Sequence, residues 1–229
     1  MIRSLIILTI FFTAPLETFA QKWNVSPVIF YGTFKMSSLK EFQDNMTRYS
    51  NFPAKVVDDF PGNFGYSLQA GYSVSKRMEV GLRYQFTSTG GRVVYGDYSG
   101  EFGYDYLLHS NSLGIYTNVR LNKSTLWPIY FSFAVGEVRS DLEIISYFRL
   151  FDDSTSKSYS KSSTNYFFNP AFNFNRQLSE HFRVFVGAGY EFQIHGDLLG
   201  DDITAEWDGV RVSLGVNYIF GFKKKSAQL

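Results

Sequence analysis

GVRVSLGVNYIFGF, residues 209–222, alternates almost without a break. Val210, Val212, Leu214, Val216, Tyr218, Phe220 and Phe222 share one parity. Arg211, Ser213, Gly215, Asn217 and Gly221 share the other, with Ile219 the one apolar residue among them. Successive side chains of a strand point to opposite faces, so this stretch is a ribbon with one apolar and one polar side. In a soluble barrel the apolar side turns inward, and in a membrane-spanning barrel it turns outward to lipid.

Reading back toward the N-terminus, the same period recurs seven times. Strands are expected over residues 182–195, 164–178, 129–150, 107–122, 78–94, 63–75 and 22–34. Pro27 suits a strand end or a bulge, Gly90-Gly91 a bulge or bend, and the change of apolar phase near Gly136 a second bulge. Connections alternate long and short: short at Lys76-Arg77, 123–128 and 179–181, long at 37–61, 95–106, 152–163 and 197–208. Both termini are therefore expected at the end with the short turns. Within the first long connection, Leu39, Phe42, Met46 and Tyr49 stand at helical spacing behind Ser37 and Ser38, which suit an N-cap. The fold expected is all-β: an eight-stranded antiparallel up-and-down transmembrane β-barrel with a short helix in its first long loop.

Composition fits. Of 229 residues, 24 are Phe and 16 are Tyr, more aromatics than a soluble domain needs and suited to lipid-facing bands and interfacial girdles. The formal net charge is +1, so no basic surplus exists for nucleic acid. The absence of cysteine removes disulfides, thiolate catalysis, Cys-ligated metals and a lipidated N-terminal Cys. Residues 1–20 read as a cleaved signal peptide, with Arg3 before an apolar run at 5–12 and Thr18-Phe19-Ala20 as the cleavage site. The barrel domain is then 21–229.

The inner faces are expected to carry the polar set. Gly, Ser and Asn suit a narrow bore and leave room for Glu79, Arg83, Arg120, Glu137, Arg183, Glu191 and Arg211 to pair as an interior network. On the lipid side each such charge would cost ~2–4 kcal/mol at the midplane. A bore filled in this way is a plug and not a pore.

The signal peptide, the alternating ribbons and the aromatic-ended strand VRVSLGVNYIF together resemble the small OmpA/OmpX/OmpW-like outer-membrane barrels, over essentially the whole mature chain. The resemblance implies residence in a bacterial outer membrane, contact with its lipid and lipopolysaccharide, and recognition of the last strand by the barrel-assembly machinery. Tyr218, Phe220 and Phe222 would supply that signal. The chain departs from the pattern by continuing through Lys223-Lys224-Lys225 to Leu229, so a terminal Phe is missing.

Chemistry is sparse. His109 beside Ser110 and Ser112, and His195 beside Asp197, fall at the external ends of strands and invite comparison with lipid-modifying barrel enzymes. Neither pair sits in a motif that sets nucleophile, base and acid together, and His181 falls in a periplasmic turn. Asp197, Asp201, Asp202, Glu206 and Asp208 could offer oxygens to Ca2+, but their spacing matches no calcium loop. The sequons at Asn24, Asn45 and Asn122 and the Gly187-Gly189 pair carry no chemistry. No catalytic, cofactor or metal residue is assigned. The function expected is non-enzymatic: envelope structure, adhesion or a subunit role carried by external loops, with a protein partner there. The alternatives are a narrow passive channel, a lipid-modifying enzyme, or a soluble secreted lipocalin-like ligand binder.

Overall fold

The computed structural model describes residues 22–49, 53–151, 153–194 and 203–221. Its strands are β1 Lys22–Gly32, β2 Lys55–Asp59, β3 Asn63–Ser73, β4 Met78–Gly96, β5 Gly100–Arg120, β6 Ile129–Leu150, β7 Asp153–Gln177, β8 Phe182–Ile194 and β9 Gly209–Gly221. One helix, α1, covers Ser37–Tyr49. Eight strands close a ring of antiparallel neighbours, β1-β3-β4-β5-β6-β7-β8-β9, with β9 returning to β1. The ninth, β2, was not foreseen; it adds to the outer end of β4 at Gly91–Val94.

Strands of a barrel tilt, so laterally paired residues climb around the wall. One such row runs Phe220, Trp23, Tyr72, Val80, Thr117 and Phe133, all pointing outward. The parity expected for residues 209–222 holds through Gly221: Leu214 is 60% exposed while Arg211, Gly215, Asn217 and Ile219 face in. Strand β8 has 13 residues, and at ~3.4 Å per residue with ~40° of tilt it rises roughly 30 Å, enough to span the apolar band of a barrel. Outward aromatics pack against one another along this band, tilted at Trp23–Tyr72 (5.0 Å), T-shaped at Phe133–Phe168 (4.6 Å) and stacked at Tyr66–Phe86 (5.1 Å).

The ring is not level. Strands β1, β3, β8 and β9 have 11 to 13 residues, but β5, β6 and β7 have 21, 22 and 25. The connections expected at 95–106 and 152–163 are mostly strand: β4 and β5 are joined across 97–99, and β6 and β7 across 151–152. The extra length, about ten residues per strand or ~30 Å along the strand, forms a sheet standing beyond the lipid band.

That extension explains where sequence parity failed. No bulge occurs at Gly136 or Gly90-Gly91; β5–β6 and β6–β7 pairing runs without a shift through Gly136, and β4–β5 through Gly91. Instead the environment of the outer face changes from lipid to water partway along β6. Ile129, Phe131, Phe133 and Val135 face out below; Glu137, Arg139, Asp141 and Glu143 face out above. Glu137 is therefore an exposed outer residue and not part of the interior network, a correction to the sequence reading. Its inward neighbours, Val138 and Leu142, are buried. Pro27 and Pro170 also lie in mid-strand without a bulge. Lacking N–H donors, they sit at gaps in the β1–β9 and β7–β8 ladders, between Val25 and Val28 and between Phe168 and Ala171.

The interior has two halves. The outer half holds an apolar core in which Met36, Leu39, Phe60, Tyr106, Leu108, Leu142 and Trp207 have almost no exposure. Full burial of each such side chain is worth about 1.5–3 kcal/mol. Helix α1 contributes Leu39 and Phe42 as expected, but Tyr49 is exposed and Gln43 is buried. Its first turn is capped from afar: Ser37 N–H donates to Glu206 Oε2 (2.5 Å) and Ser38 Oγ to Glu206 Oε1 (3.4 Å). An anion at this end also matches the helix dipole. Gly91 lets the helix approach, because a Cβ there would stand 2.3 Å from Gln43 Nε2 and 3.0 Å from the Phe60 ring.

Candidate functional site

Below the apolar core, three of the sequence-predicted residues meet. Glu191 on β8 accepts from Arg211 on β9 (Nη2–Oε1, 3.1 Å) and stands 3.9 Å from Arg83 on β4. Arg83 donates to Asn169 Oδ1 (2.8 Å) and to Gln85, and Gln85 Nε2 reaches Glu191 Oε2 (3.4 Å). Arg211 also donates to the carbonyls of Thr33 (2.7 Å) and Trp207 (2.6 Å) and lies 5.0 Å over the Phe34 ring. One carboxylate thus serves two guanidiniums, and the backbone of the plugging segment takes up part of the remaining donors.

The other members lie elsewhere. Glu79 is buried but bonded to Tyr116 Oη (2.9 Å) and Asn118 Nδ2 (3.0 Å), a separate cluster. Arg120 and Arg183 sit lower still, at the mouth on the short-turn side. Glu137 is outside. Tyr218 and Phe220 face outward on β9 at the seam, paired with Val25 and Trp23; Phe222 lies outside the described residues, as do the signal peptide, His195, Asp197, Asp201 and Asp202.

Sequence reasoning missed the plug. In the last connection, residues 203–208 dip into the bore, where Trp207 is 0% exposed, its Nε1 donating to Ser140 Oγ (2.9 Å) and its ring meeting Phe34 edge-on at 4.9 Å. Asp208 Oδ1 accepts from Gln193 N–H (2.8 Å). Glu206 and Asp208, grouped by sequence with a solvated acidic loop, are thus buried structural acceptors. A Trp standing between those two acids was the available signal. Gln85 and Asn169 share inward parity with Arg83 and could have been found the same way. Among the described residues, no group of three or more His, Asp or Glu is placed to hold a metal ion.

Below the network the bore narrows to a space of about 10 Å³ between Tyr130, Asn173, Arg183 and Phe185. His109 projects outward against the Phe86 ring (6.1 Å), whereas Ser110 and Ser112 are buried on the opposite face, so the sequence-adjacent pairs are not brought together. On the external sheet, Arg92 pairs with Asp105 (2.5 Å) and Arg149 with Glu101 (2.8 Å). The β4–β5 tip is tied by Asp97 Oδ1, which accepts from Ser99 Oγ (2.6 Å), Ser99 N (2.8 Å) and Gly100 N (3.1 Å). The Ser99 hydroxyl and then these N–H groups hold the Asp97 carboxyl below the usual carboxylate range.

A closed ring with an unbroken outward apolar band, polar in its lower bore, has one physical home. It is a transmembrane β-barrel of the outer-membrane type. The soluble lipocalin-like alternative, which needs the apolar faces inside, is excluded by the exposure of Leu68, Leu82, Phe174 and Leu214 together. Solved outer-membrane barrels are among the structures similar to this chain. Ail, the attachment invasion locus protein of Yersinia pestis, is 16% identical, with 88% of this chain and 100% of that chain covered and a TM-score of 0.38. OprG from Pseudomonas aeruginosa is 13% identical over 89% and 97% (0.49), and the protease OmpT from Escherichia coli 10% over 91% and 99% (0.41). At these values the likeness carries no functional argument. No protein-family model and no curated protein matches the chain.

Proposed function

We propose that this outer-membrane barrel is a non-enzymatic surface protein whose working part is the external sheet of β4–β7, the barrel serving as its anchor. The observation that carries this reading is the closure of the bore by Trp207, Leu108 and Leu142 beneath strands that continue ~30 Å outward. A channel would place its wall length around an open path, and a lipid-modifying site would need nucleophile and base on one face near the outer rim. Here the length is spent on a sheet with a solvated outer face, built from ion pairs and a Ser/Thr row at Ser154, Ser156, Ser158, Ser160, Ser162 and Thr164. Its lipid contacts are the outer-leaflet lipopolysaccharide and the inner-leaflet phospholipid, and its last strand is the assembly signal.

The test is a trimmed chain lacking residues 94–103 and 147–156, each hairpin reclosed by Asn-Gly. Retained heat-modifiable folding with loss of cell adherence or of a co-purifying surface partner supports the reading. Unchanged adherence, or an altered lipid A profile that depends on the protein, contradicts it.

A further inference from the structure

At the opposite end of the barrel from the external sheet, the bore opens into a vestibule of about 580 Å³, continuous in its lining with a neighbouring space of about 400 Å³. Lys22, Arg120 and Arg183 line both, and Lys76 and Arg77 line the second. Against these five cations stand Glu79 and Glu180. Glu79 is already engaged by Tyr116 and Asn118.

The two arginines have unusual partners. Arg183 donates to Gln177 Oε1 (3.1 Å) and Tyr130 Oη (3.2 Å), with its guanidinium 5.5 Å over the Tyr130 ring. Arg120 donates to the carbonyls of Lys123 (3.3 Å) and Ser124, and its buried Nε has no acceptor. Every one of these acceptors is neutral, and among the described residues neither guanidinium has a carboxylate within ion-pair distance. The contrast is with Arg83 and Arg211, which share Glu191. Holding a half-buried cation without a counter-charge costs stability. Doing so twice, on facing parts of one cavity with lysines at its rim, leaves a site preorganised for an oxyanion, which the planar guanidinium forks recognise best.

We propose that this periplasm-facing vestibule binds a soluble oxyanionic ligand, a carboxylate or phosphate of small-molecule size, through Arg120 and Arg183. The cavity volume falls in the range of small-ligand sites. The closed bore above makes it a pocket with one entrance, reached from the side of the short turns. The wall of β-strands separates the vestibule from the acyl region of the bilayer, so its contents are reached through the mouth.

The experiment is calorimetric titration of the full chain, refolded in nanodiscs, with pyrophosphate and with citrate. Saturable binding of either, weakened at least tenfold in Arg120→Gln and in Arg183→Gln and unaltered in the outer-face variant Arg139→Gln, supports the site. The tighter probe identifies the class as phosphate or polycarboxylate. Should the variants fail to fold, ring resonances of Tyr130 in the unaltered protein report the same event and must shift on titration. No saturable binding of either probe, or binding unchanged in both variants, overturns the proposal.

Discussion

Replacing Trp207 by Ala tests the plug. The indole is wholly buried, bonded through Nε1 to Ser140 and stacked edge-on against Phe34. Truncating a buried Trp costs about 3–5 kcal/mol through lost transfer energy and the cavity left behind. The deserted Ser140 hydroxyl, itself 0% exposed, adds about 1–3 kcal/mol unless the space relaxes. Partial collapse of α1 into the gap offsets some of this, so the expected loss is ~4–5 kcal/mol. Trp207→Phe keeps a ring against Phe34 but loses the N–H and part of the indole volume, so it should cost about 1–3 kcal/mol, less than the Ala variant. The assay is urea-induced unfolding in lipid vesicles, read by tryptophan-independent circular dichroism and by the mobility of unboiled samples. Planar-bilayer recordings of the parent protein should show no current, because the apolar core and the Glu191 network close the bore together. A loss under 1 kcal/mol, or a conducting parent, refutes the reasoning, because either would mean that the bore is not closed as described.

Glu191→Gln leaves Arg83 and Arg211 without their shared carboxylate and should cost about 3–5 kcal/mol; adding Arg211→Gln should recover part of that loss in a double-mutant cycle by urea unfolding. Leu214→Arg on the lipid face should cost ~2–4 kcal/mol, whereas Glu137→Leu should fall within ~0.5 kcal/mol, a pair that separates the lipid band from the external sheet by the same assay. Gly91→Val drives a side chain against Gln43 and Phe60 and should release α1, seen as new protease cleavage within 37–49 while the barrel keeps its heat-modifiable mobility. At the β4–β5 tip, the Asp97 carboxyl sits below its unfolded value, so its contribution is complete above that value and is lost as pH falls through the lowered one. Protection of the Ser99 and Gly100 amides, measured relative to the intrinsic exchange rate at each pH, should fall as pH drops through the lowered Asp97 value, and Asp97→Asn should abolish that pH dependence of protection.

The ring was legible because lipid outside and a narrow bore inside impose opposite demands on alternate residues, and period two records both. Residues 209–221 show this without an error, down to Ile219 facing in. Helix α1 was legible for the same reason at its own period. What parity could not show was where the lipid ends. Along β6 the pattern apolar-out becomes polar-out at Glu137, and without the level of the membrane that change reads as a bulge and sends Glu137 inside. Low-hydrophobicity strand such as STSKSYSKSS at 154–163 reads as loop, because two solvated faces leave no alternation to detect. The Glu191 triad was half visible: its three charges share inward parity, but their distances depend on stagger around the ring, which no single strand encodes. The plug was hidden by composition. Glu206 and Asp208 look solvated until the acceptors they satisfy, the first turn of α1 and Gln193 N–H, are placed beside them.

The chain has no cysteine of its own, so single cysteines can be placed one at a time from Val210 to Tyr218 and labelled with a fluorophore in the refolded, lipid-embedded protein. The account predicts that labels at 210, 212, 214, 216 and 218 are quenched by brominated lipid chains while those at 211, 213, 215 and 217 are not. The reverse pattern, or one without a period of two, would contradict an outward apolar face and with it the membrane-spanning barrel.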